Sequence, residues 1–222
     1  DSKNKLWVKG EPLKIVTHHW SSNKMKGFDV YERLDQLIFS EEWKGKIEFT
    51  YIGNIPRGFN FKNTKVIKPI SGKKLAKELS RHHVYITASN NEPAGMHHIE
   101  AVLSGLPVIY KNSGALPEYC KDFGVSFDSL EFIPALDEMI QNYYFYKKNL
   151  KNYPNTASKM STDYLNLFKN LIENKDKIVL NRRIFRSPLG ILKNFIFLII
   201  TFEKYFKSFF KNTNLQIYKF FQ

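Results

Sequence analysis

Short runs of β-branched and aromatic residues alternate with segments of helical period along the first two thirds of this chain, and that alternation leaves few folds open. Residues 13–17 (LKIVT), 47–52 (IEFTYI), Lys65–Ile67, 84–88 (VYITA) and 108–110 read as strands, with Gly124–Phe127 a weaker sixth. Between them, residues 28–39 carry Phe28, Tyr31, Leu34, Leu37 and Ile38 at helical spacing. The pattern returns at 72–81 and 96–103, and in a longer form at 130–146. Strands separated by helices imply βαβ units and a sheet covered on both faces. The expected class is therefore α/β, a Rossmann-like doubly wound parallel sheet with a C-terminal helical tail. With 222 residues, 43% of them hydrophobic, the chain can bury a core for one ordinary domain plus an appendage. The expected divisions are an incoming linker at 1–10, a ligand-binding domain at 11–147 and a helical tail at 148–222.

In sheets of this kind ligands bind beyond the carboxyl ends of the strands, where loops lead into helix N-termini. That directs attention to residues 18–27, 53–58, 89–95 and 111–117. The third of these opens the stretch NNEPAGMHHIEAVLSGLPVIY, residues 90–110. Two carboxylates, Glu92 and Glu100, stand on either side of a small-residue turn. Pro93 suits the first turn of a helix, which would place Glu92 just outside the helix end and Glu100 about five residues further in, roughly 8 Å along the axis. Gly95 allows close approach to the backbone, and first-turn amides favour an anion. A phosphate on the amides with hydroxyls on both sides of it has the layout of a nucleotide diphosphate sugar. The alternative is a surface helix that is acidic at both ends.

The motif Glu92-Pro93-x-Gly95-x4-Glu100-Ala101-x3-Gly105-x-Pro107-Val108-Ile109, followed by Gly114-x3-Glu118, resembles the signature of family 4 (group 1) retaining glycosyltransferases of the GT-B fold. Lys26-Gly27 is similar to that family's Lys-Gly step, Ile52-Gly53 to the glycine ending its second strand, and Ser89 to the serine before the glutamate pair. The likeness spans about residues 11–145, the C-terminal, donor-binding half of such an enzyme. It implies that Glu100 holds the ribose hydroxyls and Glu92 contacts the transferred sugar. It further implies that the backbone of Ala94, Gly95 and Met96 cradles diphosphate and sugar, and that Lys26 neutralises charge on the leaving diphosphate. No metal and no cofactor are implied; the nucleotide sugar is a substrate. One departure concerns the arginine that the family places before Lys-Gly: here the segment reads THHWSSNKMKG. His18, His19 or the Ser21–Ser22 pair would have to replace it, or Lys24 or Arg57 reach in. Trp20, Ser21, Ser89 and His97 complete the candidate donor contacts.

The remaining features narrow the reading. Three adjacent His pairs (18–19, 82–83, 97–98) invite a zinc site, but neighbouring residues on a helix diverge by about 100° and no i, i+4 pair exists. His83 and His98 are expected to be structural, Trp7 and Trp43 to pack, and Glu118 to cap or pair. A single cysteine, Cys120, excludes an intrachain disulfide and suits a reducing compartment. The formal net charge of +13 favours polyanionic partners. Residues 161–222 hold 11 Lys/Arg against 4 Asp/Glu, so the basic bias concentrates in the tail. Nucleic acid is not expected, because basic and aromatic residues do not interleave on one surface.

In 187–211, Leu192, Phe195, Ile199, Phe202, Phe206 and Phe209 fall on one helical face and Lys193, Lys204, Lys207 and Lys211 on the opposite one. Charges interrupt this run too early for a span, and the pattern suits a helix lying on an anionic membrane surface or packing on another domain. The start at Asp1, with no apolar leader, suggests a fragment that lacks an upstream acceptor lobe. The expected activity is hexosyl transfer with retention to a glycan or lipid-linked acceptor in polysaccharide biosynthesis. It is expected in the cytoplasm, peripheral on the inner membrane face. The isolated fragment is expected to bind donor without transferring sugar. The open alternatives are a sugar-nucleotide epimerase of the same fold and a non-catalytic donor-binding or membrane-adaptor lobe.

Overall fold

The structure, a computed structural model, describes residues 6–181 and 188–220 and separates into two compact units, Asp1–Met160 and Ser161–Gln222. In the first unit six strands, β1 (Leu13–His19), β2 (Ile47–Gly53), β3 (Lys65–Ile67), β4 (Val84–Thr87), β5 (Val108–Lys111) and β6 (Gly124–Phe127), form one sheet. Their order is β3-β2-β1-β4-β5-β6 and every pairing is parallel. The chain winds outward from β1 through β2 to β3, then returns to β1's other side with β4. The connections thus part between β1 and β4, which opens a crevice at the carboxyl ends of these two strands.

The two-residue period of the strands sorts their side chains onto two cores. Leu13, Ile15, Phe49, Tyr51, Val84, Ile86 and Ile109 face α1 (Phe28–Leu37) and α5 (Ile133–Asn149), which contribute Tyr31, Leu34, Leu136, Met139 and Tyr143. Val16, Ile52, Tyr85, Val108 and Tyr110 face the other way. There α2 (Gly72–Leu79), α3 (His97–Leu103) and the short α4 (Leu116–Cys120) supply Leu75, Leu79, Ala101, Val102, Leu116 and Cys120. Burial on both faces explains why the strands read as near-continuous apolar runs. The described part of the expected linker belongs to this unit: Trp7 is buried edge-on against Tyr143, with ring centroids 5.6 Å apart. At the far end Tyr153 is buried against Phe123, past residue 147, where the domain was expected to end.

Two boundaries differ from the sequence reading, and both shape the site. β1 runs on through His18 and His19, which pair with Ile52 and Gly53, so these histidines are strand residues rather than loop. Tyr85 secures the extension: its hydroxyl receives the His18 N–H at 3.2 Å and donates to the His18 carbonyl at 3.2 Å. α3, in turn, begins at His97 rather than near Pro93. Asn91 takes a left-handed turn (φ 50°), so residues 89–95 form a loop and Glu100 lies in the helix's first turn.

One buried acid organises the β2–β3 side. Asp35, on α1, accepts hydrogen bonds from the backbone N–H groups of Lys62, Asn63 and Thr64 and from the Thr64 hydroxyl, at 2.6–2.9 Å. Burial by itself would raise its pKa, but the Thr64 hydroxyl and the three amides outweigh burial and lower it.

In the second unit, α6 (Ala157–Glu173, which begins in the first unit) and α7 (Lys175–Asn181) bury no residue. α8 (Pro188–Phe220) presents exposed Leu192, Phe195, Phe197, Leu198 and Phe202. Its side chains are described from Leu189 to Phe206, so Ser187 and the side chains of Lys207, Phe209 and Lys211 lie outside the described residues. Among the described residues no helix is long and apolar enough to cross a membrane.

Because Asp35 is held below its unfolded pKa, its contribution is complete above about pH 4 and is lost as pH falls through the folded value. Asp35→Ala should cost roughly 3 kcal/mol in urea unfolding at pH 7, with the gap to the parent protein narrowing below about pH 4. An unchanged unfolding midpoint at pH 7 would show that the 62–64 loop does not depend on this carboxylate.

Candidate donor-binding site

The crevice between β1 and β4 opens into a cleft of about 360 Å³. β1 brings His18 and His19 to it, the following loop Trp20, Ser21 and Lys26, and the loop and start of α3 Glu92, Gly95, Met96, His97 and Glu100. Of the sequence-derived candidates, Ala94 is exposed and does not line the cleft, and Ser89 is buried beside the loop with its hydroxyl unpartnered. Trp20 lines it while remaining 70% exposed, its carbonyl accepting from Asn54 Nδ2 at 2.6 Å. Lys24 and Arg57, offered as substitutes for the missing arginine, line a different depression together with Asp29 and Glu32. Neither lines the β1–β4 cleft, so these two cations do not take that place.

Lys26 and Glu92 come from loops 66 residues apart and meet at 2.5 Å, Nζ donating to Oε2. Their loops are fastened together first. Asn90 N–H donates to the Met25 carbonyl at 2.7 Å, Asn91 N–H to Ser113 Oγ at 2.8 Å, and Ala115 N–H to the Glu92 carbonyl at 2.8 Å. Gly27 makes the approach possible. Its φ is 82°, and a Cβ there would collide with the carbonyl of Ala88 at the end of β4. A Cβ at Gly95 would likewise stand 2.9 Å from the Glu92 carboxyl carbon and 2.7 Å from the His97 ring. The second carboxylate is also engaged, since His18 Nε2 lies 2.9 Å from Glu100 Oε2. An acid–cation pair and an acid–imidazole pair thus stand at the mouth of one cleft.

Behind them four histidines gather, although no sequence spacing suggested it. The His97 ring lies 4.9 Å from His19, 5.0 Å from His98 and 6.3 Å from His18, and its Nε2 pairs with Thr87 Oγ1 at 2.9 Å. Burial, reinforced by His18 and Lys26 beside it, drives the pKa of His19 far down. Burial followed by the charges of His19, His98, His18 and Lys26 does the same to His97. His98 is fully buried, its ring nitrogens have no hydrogen-bond partner among the described residues, and burial lowers it to about 4 against an opposing pull from Glu92. These three are neutral imidazoles at neutral pH. Among the described residues no group of three or more His, Cys, Asp and Glu side chains is disposed to hold a metal ion. The other pair is structural: His82 bonds the Glu78 carbonyl and Thr50 Oγ1, and His83 Nδ1 receives the Lys14 N–H. Cys120 is buried and its thiol is pushed up to about 12, so it forms no thiolate nucleophile.

The third wall was missed from the sequence. Pro69, Ile70 and Ser71 follow β3, and with Ile52, Gly53 and Leu75 they close the cleft on the β2 side. The rule that located the other loops also applies after β3, and the three-residue strand there was the signal.

Residues 59–153 match the family model described as Glycosyl transferases group 1, a span that holds Glu92 and Glu100 but neither β1 nor Lys26. No curated protein matches the chain in sequence. Several solved structures share the fold. WaaG, described as a glycosyltransferase involved in lipopolysaccharide biosynthesis, matches at 16% identity and TM-score 0.55 over 68% of this chain and 45% of that one. Sucrose-phosphate synthase from Thermosynechococcus elongatus matches at 16% and 0.52 over 73% and 47%. The catalytic domain of cholesterol-alpha-glucosyltransferase from Helicobacter pylori matches at 19% and 0.53 over 69% and 99%. At such identities the likeness is one of fold. The chain thus shares the Rossmann-like fold of these glycosyltransferases, and its residues 59–153 match the group 1 model. The chain spans less than half the length of WaaG and of the sucrose-phosphate synthase.

His98 gives the site a pH signature. The unfolded chain binds a proton near pH 6.5 that the folded His98 refuses until about pH 4, so stability falls as pH drops through that window. Between pH 7 and pH 5 this group alone should remove about 2 kcal/mol. His98→Leu should flatten the dependence of the thermal midpoint on pH over that interval; an equally steep curve would mean that the loss arises elsewhere.

Proposed function

We propose that this chain is the donor-binding lobe of a retaining glycosyltransferase that takes a sugar from a nucleotide diphosphate sugar. The observation that carries the reading is the pair of engaged carboxylates, Glu92 with Lys26 and Glu100 with His18, at the mouth of the β1–β4 cleft. A nucleotide diphosphate sugar presents hydroxyls at both ends and two phosphates between. Glu100 accepts from the ribose hydroxyls, and Glu92 from the hydroxyls of the transferred sugar. Lys26, already beside Glu92, turns to the diphosphate and stabilises the charge that grows on it as the glycosidic bond breaks. The backbone at Gly95 and Met96 lines the path between the two carboxylates. The Ala94 backbone and Ser89 support that loop from outside the cleft. Trp20, Ser21 and His97 flank it, and neutral His97 offers a hydrogen bond rather than a charge. In this reading the nucleotide sugar is the substrate and no metal ion or cofactor takes part. The acceptor, a glycan or a lipid-linked glycan in polysaccharide assembly, approaches from the open side, where transfer requires an acceptor lobe.

Titration of the protein with UDP and GDP by calorimetry should show binding of at least one. Glu100→Gln should weaken it by about tenfold or more, the equivalent of a hydrogen bond to a charged group. Lys26→Ala should weaken the diphosphate far more than the free nucleoside. No heat with either nucleotide would overturn the donor-site reading. Sugar transfer that survives Glu92→Ala and Lys26→Ala in a two-lobed context would favour an adaptor role.

The second unit suggests where the enzyme works. Exposed Phe195, Leu198, Ile199, Phe202 and Phe206 form an apolar groove along α8, with Lys193 and Lys204 on the same helix. The arrangement suits a helix seated at the cytoplasmic face of an anionic membrane. Sedimentation with vesicles containing phosphatidylserine should exceed that with phosphatidylcholine alone and weaken with added salt. Equal binding to both would remove the electrostatic part of this placement.

A further inference from the structure

The donor-site reading gives Glu100 a task but leaves it on a long, mobile side chain. Glu100 stands in the first turn of α3 with its side chain 47% exposed, and such a carboxylate samples many rotamers. Fixing a glutamate side chain costs rotamer entropy, which lowers affinity unless the side chain is already in place. In this chain something holds it. His18 Nε2 sits 2.9 Å from Glu100 Oε2, across 82 residues of sequence.

His18 is well placed to be the fixed partner. Its backbone N–H and carbonyl are both bonded by the Tyr85 hydroxyl, and strand pairing to Ile52 fixes its direction. Its ring is confined edge-on by Tyr85 at 5.5 Å and His97 at 6.3 Å, so the imidazole has little freedom of its own. Its Nδ1 is buried and has no hydrogen-bond partner among the described residues. A proton on Nδ1 would be an unpaired buried donor, so the ring proton belongs on Nε2, where it is donated to the carboxylate.

We propose that His18 is a positioning residue that presets the Glu100 carboxylate for the ribose of the nucleotide. The inference rests on the donor-site reading and adds to it the group that makes Glu100 ready. It also assigns a use to the first histidine of the THHWSSNKMKG segment that departs from the family pattern. His18 does not replace the absent arginine at the diphosphate; it acts at the opposite, ribose end of the cleft.

The experiment compares UDP and GDP with their 2′,3′-dideoxy counterparts by calorimetry, using the parent protein, Glu100→Gln, His18→Leu and His18→Gln. The parent protein should prefer the ribonucleotide, and Glu100→Gln should remove the preference. His18→Leu should shrink it by about tenfold while changing affinity for the dideoxy nucleotide little. His18→Gln, whose amide can donate from a similar position, should recover most of the preference, and adding His18→Leu to Glu100→Gln should cost nothing further. A parent preference that His18→Leu leaves intact, or an equal loss toward both nucleotides, would overturn the positioning role and leave the donor site standing. Absence of binding to any of the four nucleotides would overturn the donor site and this inference with it.

Discussion

The hydroxyl of Tyr31 is the joint on which the cleft depends. It receives the backbone N–H of Ala88 at 3.1 Å and the Thr17 hydroxyl at 3.3 Å, and it pairs with His19 Nε2 at 2.7 Å. Burial raises its pKa to about 12, so the group keeps its proton and has one hydrogen to donate, which goes to His19. One buried oxygen therefore ties α1, the end of β1 and the end of β4 together at the point where the sheet changes direction. The three elements must meet there for the loops bearing Lys26 and Glu92 to face each other. His19, which takes that hydrogen, stays neutral because burial, reinforced by His18 and Lys26 beside it, drives its pKa far down.

The cleft contains the interactions that a ligand must exchange. Lys26 and Glu92 neutralise each other across 2.5 Å, and His18 holds Glu100. Leaving either carboxylate unpaired next to a cluster of neutral imidazoles would carry a desolvation cost. Pairing removes that cost and sets the geometry of both carboxylates. The arrangement favours a ligand that offers an anion to the lysine and hydroxyls to the acids at once, because such a ligand satisfies every group it separates. A ligand with only one of these features leaves a partner exposed or unpaired. In this sense discrimination comes from the pairs rather than from any single residue.

The two units obey different rules. In Asp1–Met160, apolar side chains are matched across a sheet, and Asp35 and Tyr31, which lie deep, have hydrogen-bond partners. In the second unit, α6 and α7 bury nothing, and α8 leaves large apolar side chains in the open. Such surfaces are stable only when something covers them. The concentration of positive charge in the same segment narrows the covering partner to one that also attracts lysines.

The sequence by itself determined the class of fold and the glutamate pair. Period-two strands alternating with period-3.6 helices can be satisfied only by a sheet covered on both faces, and Glu92-Pro93-x-Gly95-x4-Glu100 is a local pattern whose spacing survives in any context. Only the tertiary structure decided what those carboxylates touch. His18 and Glu100 are 82 residues apart and Lys26 and Glu92 are 66 apart, so no periodicity links them; the β1–β4 adjacency does. The same adjacency gathered His18, His19, His97 and His98, which read as unrelated dipeptides along the chain. It also placed the 69–71 loop in the cleft and sent Lys24 and Arg57 to another surface. Local order is written in short-range spacing because backbone geometry repeats over a few residues. Contacts across a sheet follow from strand order, which is set by how the whole chain closes on its core.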